Sequence, residues 1–225
     1  MTSPAEGPYD AQSEAEAEAE ARSTDRVVTF SDAVVAIAIT LLALDLPVPA
    51  GNFSNGQFWH ALRADWSTYL AFLISFLVIA NHWATHRQIF RYVSRLNNMV
   101  FRLNLAWLLL MIVVPYTTKI VTGSGQLGAR FTVYAGVHIV ATGVAMLMSW
   151  EVRAAQLLRA DAPAKARHAD LVPYLSIMFV FLASIPAAYL AGSWAFALWA
   201  LSPLVGRLLR RTGAVDRFAA GNTRR

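Results

Sequence analysis

The sequence contains no cysteine, and Asp, Glu, Lys and Arg together supply only 15% of its 225 residues. Without thiols there is no disulfide, no thiol nucleophile and no thiolate metal site, although the compartment stays open. Enzyme signatures are missing as well: there is no HExxH, no GxSxG, no glycine-rich phosphate loop and no carboxylate pair at metal-ligand spacing. No arginine-rich voltage-sensor helix is present either, so gating by voltage is not expected. The formal charge of +5 raises the question of nucleic acid, but the basic residues lie between apolar runs instead of forming a patch. Nucleic acid is therefore not an expected partner, and these residues read as topology signals. What the chain does have is apolar residues, 56% of the total, gathered in long runs and not in amphipathic stripes. That pattern predicts an all-α membrane protein in contact with lipid.

Six runs are long enough to count as transmembrane helices, at about residues 27–46, 66–83, 100–120, 131–150, 171–190 and 194–209. The domain organisation follows: an acidic tail over 1–25 with a Glu-Ala repeat, disordered or at most a frayed helix, a six-helix membrane domain over 26–209, and a basic disordered tail over 210–225. The stretch from 47 to 65, rich in Pro, Gly, Asn and Ser, reads as a loop. Placing both termini in the cytoplasm puts 16 of the 19 Lys and Arg residues inside, leaving only Arg63, Lys119 and Arg130 outside.

The first span is the unusual one, because Ser31 and Asp32 lie within it. An ionisable group at membrane depth costs several kcal/mol and persists when it is paired or functional. At about 100° per residue, Val34, Ile37, Leu41 and Leu44 share a bulky stripe, and Ala33, Ala36, Thr40 and Ala43 form a small-residue stripe beside it. Asp32 projects roughly 160° from the centre of the bulky stripe, so it faces other helices, whereas Asp45 projects on nearly the same azimuth as the stripe. Periodicity leaves two readings of the stripe open: packing against lipid or a sister helix, or stacked apolar rings around an axis. His82 and His86, at i, i+4, would permit a two-ligand metal site, but with no acid nearby the plainer reading is hydrogen bonding to neighbouring helices. No metal site and no cofactor are expected.

The string RVVTFSDAVVAIAITLLALDLPVP resembles the first-helix signature of the transmembrane protein 175 family of potassium channels, and HWATHRQIFRYVSRLNNMVFRLNLAWLLLMIVVPYTT resembles that family's second and third helices. The resemblance covers most of residues 26–120. It implies a channel in a bacterial cell membrane, a homotetramer of six-helix chains whose first helices line the pore, with potassium and other monovalent cations as the permeant species. By position after the signature it carries over Ile37, Leu41 and Leu44 as the constriction and Thr40 as a residue bearing on potassium preference. It assigns Arg26, Phe30, Ser31 and Asp32 to a motif that ties the first helix to the second and third, with His82, Trp83, His86 and Asn104 as the expected partners. Asp45 would then form an acidic ring at the outer mouth that concentrates cations. The rival expectations are a secondary transporter, which the lack of a second-half counterpart to the motif disfavours, and a proton-permeable channel.

Overall fold

The computed structural model describes residues 8–167 and 170–200. Among them the chain is all helix: α1 Pro8–Leu44, α2 Asn55–Ala64, α3 Trp66–Phe90, α4 Asn98–Thr122, α5 Leu127–Ala154, α6 Ala164–Arg167, α7 Val172–Ala191, and α8 Ala195–Ala200 after a 3-10 turn. Five stretches are long and apolar enough to cross a membrane: 18–44 within α1, and helices α3, α4, α5 and α7. The expected sixth span begins as α8, and its remainder from 201 lies outside the described residues, as does the basic tail. Gly192 makes the α7–α8 hairpin possible, since it takes φ 59° at the helix end, where a side chain would be strained.

Two expectations change. The acidic segment, expected to be disordered or at most a frayed helix, is continuous helix from Pro8, so α1 is 37 residues and about 55 Å long and extends well beyond a bilayer core. Ala and Glu are both strong helix formers, and Glu18 pairs with Arg22 one turn on at 3.1 Å. The loop at 47–65 contains α2, whose start is stapled by the Ser54 N–H donating to Gln57 Oε1 at 2.9 Å.

Packing is centred on α4, which lies against α1, α3 and α5; α7 in turn packs on α5, and α8 on α7. Two apolar clusters fill the bundle. One joins Val35, Leu42, Ile79, Trp107, Met111 and Met148. The other gathers Phe131, Tyr134, Val180, Phe181 and Trp199. Both ends of the bundle are tied by polar contacts. At one end the Asn97 side chain caps α4 by accepting from the Val100 N–H at 2.8 Å and donates to Glu151 of α5 at 2.7 Å. The 91–97 connector there pairs with the chain after α5 through Ser94 N–H to Leu157 O and Arg159 N–H to Tyr92 O, both 2.9 Å. At the other end the Arg130 guanidinium donates to the carbonyls of Val121, Gly123 and Gly125, satisfying groups that the end of α4 leaves free.

Candidate functional site

Helix α1 has two unlike edges. Ser31, Val35, Ala38 and Leu42, at i, i+4, i+7 and i+11, are buried against α3 and α4. On the other side Ile37 is 59% exposed, Leu41 40% and Leu44 78%, with Phe30 and Thr40 also exposed. Val34, expected in the bulky stripe, is half-buried against the main core, so the bare stripe is narrower than periodicity suggested. The small residues Ala33, Ala36 and Ala43 lie on the uncovered side too, with no helix of the described chain over them.

The buried edge carries a polar knot. Asn104 Nδ2 donates to Ser31 Oγ at 3.0 Å, and its Oδ1 lies 2.8 Å from His86 Nε2. The Trp83 indole N–H donates to Asp32 Oδ1 at 2.8 Å. Ser31 also donates to the Val27 carbonyl at 2.8 Å. Thus α1 is fastened to α3 through Asp32 and to α4 through Ser31, and the buried Ser31 and Asn104 side chains gain the partners that burial demands, while His86 Nδ1 has none. His86 stacks on Trp107, ring centroids 4.5 Å apart, which fixes its plane.

Sequence reasoning placed His82 in this knot; the structure places it elsewhere. His82 Nε2 is 3.2 Å from His138 Nδ1 of α5, with the two rings stacked. Its neighbour one level further along is a hydroxyl cluster: Ser75 Oγ lies 3.1 Å from the Tyr134 hydroxyl and accepts from Thr118 at 2.9 Å. Since residues four apart on a helix are offset by about 40°, His82 reaches α5 while His86 reaches α4, and the two imidazoles do not converge on one point. Ser75, Ile79, His82 and His86 repeat on α3 the same i, i+4, i+7, i+11 spacing as the buried edge of α1, which marks all four as buried without saying which helix each one meets. Arg26 and Phe30 stay on the exposed flank, outside the knot.

Asp45 also differs from expectation. Its carboxylate lies 2.6 Å from Lys119 Nζ of α4, both side chains remaining partly exposed. The azimuth argument fails there because α1 ends at Leu44 and the chain turns, with the Leu46 N–H returning to the Ala43 carbonyl at 3.3 Å. Beside it the Tyr69 hydroxyl donates to the Pro47 carbonyl at 2.8 Å, anchoring the turn on α3.

A first helix braced by a polar knot on one edge and left bare and apolar on the other, within a bundle of membrane-length helices, defines a polytopic membrane protein whose first helix has contacts still to make. Comparison with known proteins narrows that class. Residues 26–115 match the family model described as endosomal/lysosomal potassium channel TMEM175. A potassium channel of Streptomyces collinus is 48% identical over 93 residues, 41% of this chain and 45% of that protein. An endosomal/lysosomal proton channel TMEM175 of Gallus gallus is 32% identical over 107 residues, 44% of this chain and 21% of its own length. The matched segment thus spans less than half of either relative. The crystal structure of a lysosomal potassium-selective channel TMEM175 homolog from Chamaesiphon minutus aligns with a TM-score of 0.69 at 26% identity, covering 82% of this chain and 96% of that one. Over residues 26–115 the chain is similar to the TMEM175 family, and the matched segment holds both edges of α1 and the whole polar knot.

Proposed function

We propose that this protein is a channel and not an enzyme, that it conducts potassium, and that it does so as a homotetramer with four copies of α1 around the permeation axis. The observation that carries the reading is the bare edge of α1: Ile37, Leu41 and Leu44 are exposed although the opposite edge of the same helix is packed and hydrogen-bonded. Two relatives named as potassium channels support the permeant ion. In this assembly the three residues form stacked apolar rings that constrict the path and impose dehydration on the ion, and Thr40 lies beside them. Ser31, Asp32, Trp83, His86 and Asn104 act as the brace that sets the tilt of α1, so Asp32 holds the helix and does not ligate the ion. No metal or organic cofactor takes part. The pore conducts as a leak, without voltage sensing. The protein sits in the bacterial plasma membrane with both termini in the cytoplasm, because the arginines at the 91–97 end of the bundle then obey the positive-inside rule.

The experiment is recording of the purified protein in planar bilayers under a potassium/sodium bi-ionic gradient. The reading expects currents without a second driving gradient and a reversal potential displaced towards potassium. Transport that requires a coupled gradient would replace it with a secondary transporter. Proton permeation is the second reading, favoured by the name of the Gallus gallus relative. Proton flux into acid-loaded vesicles that survives removal of potassium would support it.

A further inference from the structure

The basic end of the bundle holds a groove of about 660 Å³ between the middle of α1, the end of α3 and the chain after α5. Arg87, Arg91 and Arg159 all line it, together with Trp83, Phe90 and Asp25. Arg87 stacks its guanidinium over the Trp83 ring at 4.9 Å and Arg91 over Tyr92 at 5.4 Å. None of the three guanidiniums has a carboxylate partner among the described residues, whereas Arg22 is paired with Glu18 and Arg153 and Arg167 are committed to backbone carbonyls. Arg159 is held in place through its main chain, by the bond from its N–H to Tyr92 O, which leaves the side chain free.

We infer that this groove binds an anionic phosphate group, the headgroup of an acidic phospholipid. Three unpaired arginines around one concavity exceed the single acid there, Asp25, by two charges, and guanidinium forks suit phosphate oxygens in bidentate geometry. The remaining lining sets the polar Thr24 and Gln88 beside Val28, Ala84, Trp83 and Phe90, a mixture that suits the glycerol region below a headgroup. Position along the bundle agrees: the groove lies just past the apolar part of α3, where the headgroup layer of one leaflet meets the protein. Arg87 rests on the same indole that donates to Asp32, so a bound headgroup would touch the brace of α1. The inference needs only the membrane placement and stands whether or not the protein conducts potassium.

The test uses native mass spectrometry of the full-length purified protein, with phosphatidylglycerol titrated against phosphatidylcholine. Expected is preferential retention of phosphatidylglycerol, reduced about tenfold or more in an Arg87→Gln/Arg91→Gln/Arg159→Gln variant and little changed in an Arg22→Gln/Arg95→Gln/Arg102→Gln variant that removes equal charge outside the groove. Equal loss in the two variants would reduce the effect to general surface charge and overturn the site, as would unchanged retention in the first. A melting curve for each variant separates lost binding from lost fold; if the groove triple variant does not fold, the single Arg91→Gln variant takes its place. Inorganic phosphate forms the second arm: displacement of the lipid by millimolar phosphate assigns the groove to soluble phosphate and overturns the lipid assignment, and no displacement supports it.

Discussion

The two edges of α1 differ in a way that reverses the rule for soluble proteins. Its packed edge is built from Ser31, Val35, Ala38 and Leu42, and its bare edge from the bulkier Phe30, Ile37, Leu41 and Leu44. In water the larger apolar residues would be buried first. In lipid there is no hydrophobic gain from helix association, so burial goes to whatever fits closely and can satisfy polar groups. Ser31 and Ala38, the small residues of the packed edge, are buried where α1 meets α3 and α4, and Ser31 accepts from Asn104 there. Exposure of Ile37, Leu41 and Leu44 is therefore a consequence of fit inside one chain, and the greasiest edge is left for contacts made outside it.

The strongest way to break this contrast is to make one residue on each edge polar. Val35→Asn, at a fully buried position facing an apolar cluster, is expected to lower stability by about 3 kcal/mol, because it places an amide among packed apolar side chains such as Ile79 and Met111. Thermal unfolding in detergent would measure it, and a melt equal to wild type would mean that α1 is not held where the structure places it. Ile37→Asn, two residues on, is expected to leave the melt unchanged. Its effect falls on the current: with the ring widened and wetted, the potassium-to-sodium permeability ratio should fall about tenfold. The double variant Ile37→Asn/Leu41→Asn should fall at least as far. Unchanged conductance and selectivity in both would remove the pore assignment and leave the edge to lipid.

Much of this was readable in the residues. Apolar runs gave every one of the five described spans, since a helix that must cross about 30 Å of hydrocarbon leaves an unmistakable length signature. The direction of Asp32 was readable from the helical period alone, because Asp32 lies in the middle of an unbroken helix. Asp45 was not, since azimuth is defined only while the helix lasts and α1 stops one residue earlier. Partner choice in the polar knot was only half legible. Trp83, His86 and Asn104 were identified, but His82 was assigned to the same knot because spacing along one helix does not say which neighbouring helix each side chain meets. His138, its actual partner, is 56 residues away and has no pattern that links it to α3. The helix over the acidic repeat was half legible: charge content argued for disorder, while Ala and Glu propensity allowed at most a frayed helix.

Between the two edges lies the knot itself, and Asn104→Leu sharpens its role. The substitution removes the donor to Ser31 and the partner of His86 while keeping a similar volume. Interhelical hydrogen bonds in membranes average well under 1 kcal/mol and reach about 1.7, so a loss near 1 kcal/mol is expected, smaller than for Val35→Asn. A stability change of that size together with altered open probability would mark the knot as the device that sets α1 in position. An altered current with no change in the melt would place Asn104 in the conduction path instead.

The smallest effect is expected where α1 ends. Asp45 was expected to draw cations to the outer mouth as a free acid, but Lys119 lies 2.6 Å away and cancels its charge at that point. Exposed ion pairs are screened and contribute little to stability, so neither Lys119→Met nor Asp45→Asn should shift the melt by more than a few tenths of a kcal/mol. Conductance separates the two. Lys119→Met uncovers a negative charge in each subunit and should raise inward potassium current about twofold at low ionic strength, with the gain vanishing near 1 M salt, where the Debye length is about 3 Å. Asp45→Asn uncovers a positive charge and should lower it under the same conditions. The double variant should return close to wild type, because an uncharged pair and a neutralised pair present the same field to an approaching ion. If Lys119→Met leaves the low-salt current unchanged, Asp45 does not face the ion path, and the bare edge of α1 acts on permeation without an acidic mouth above it.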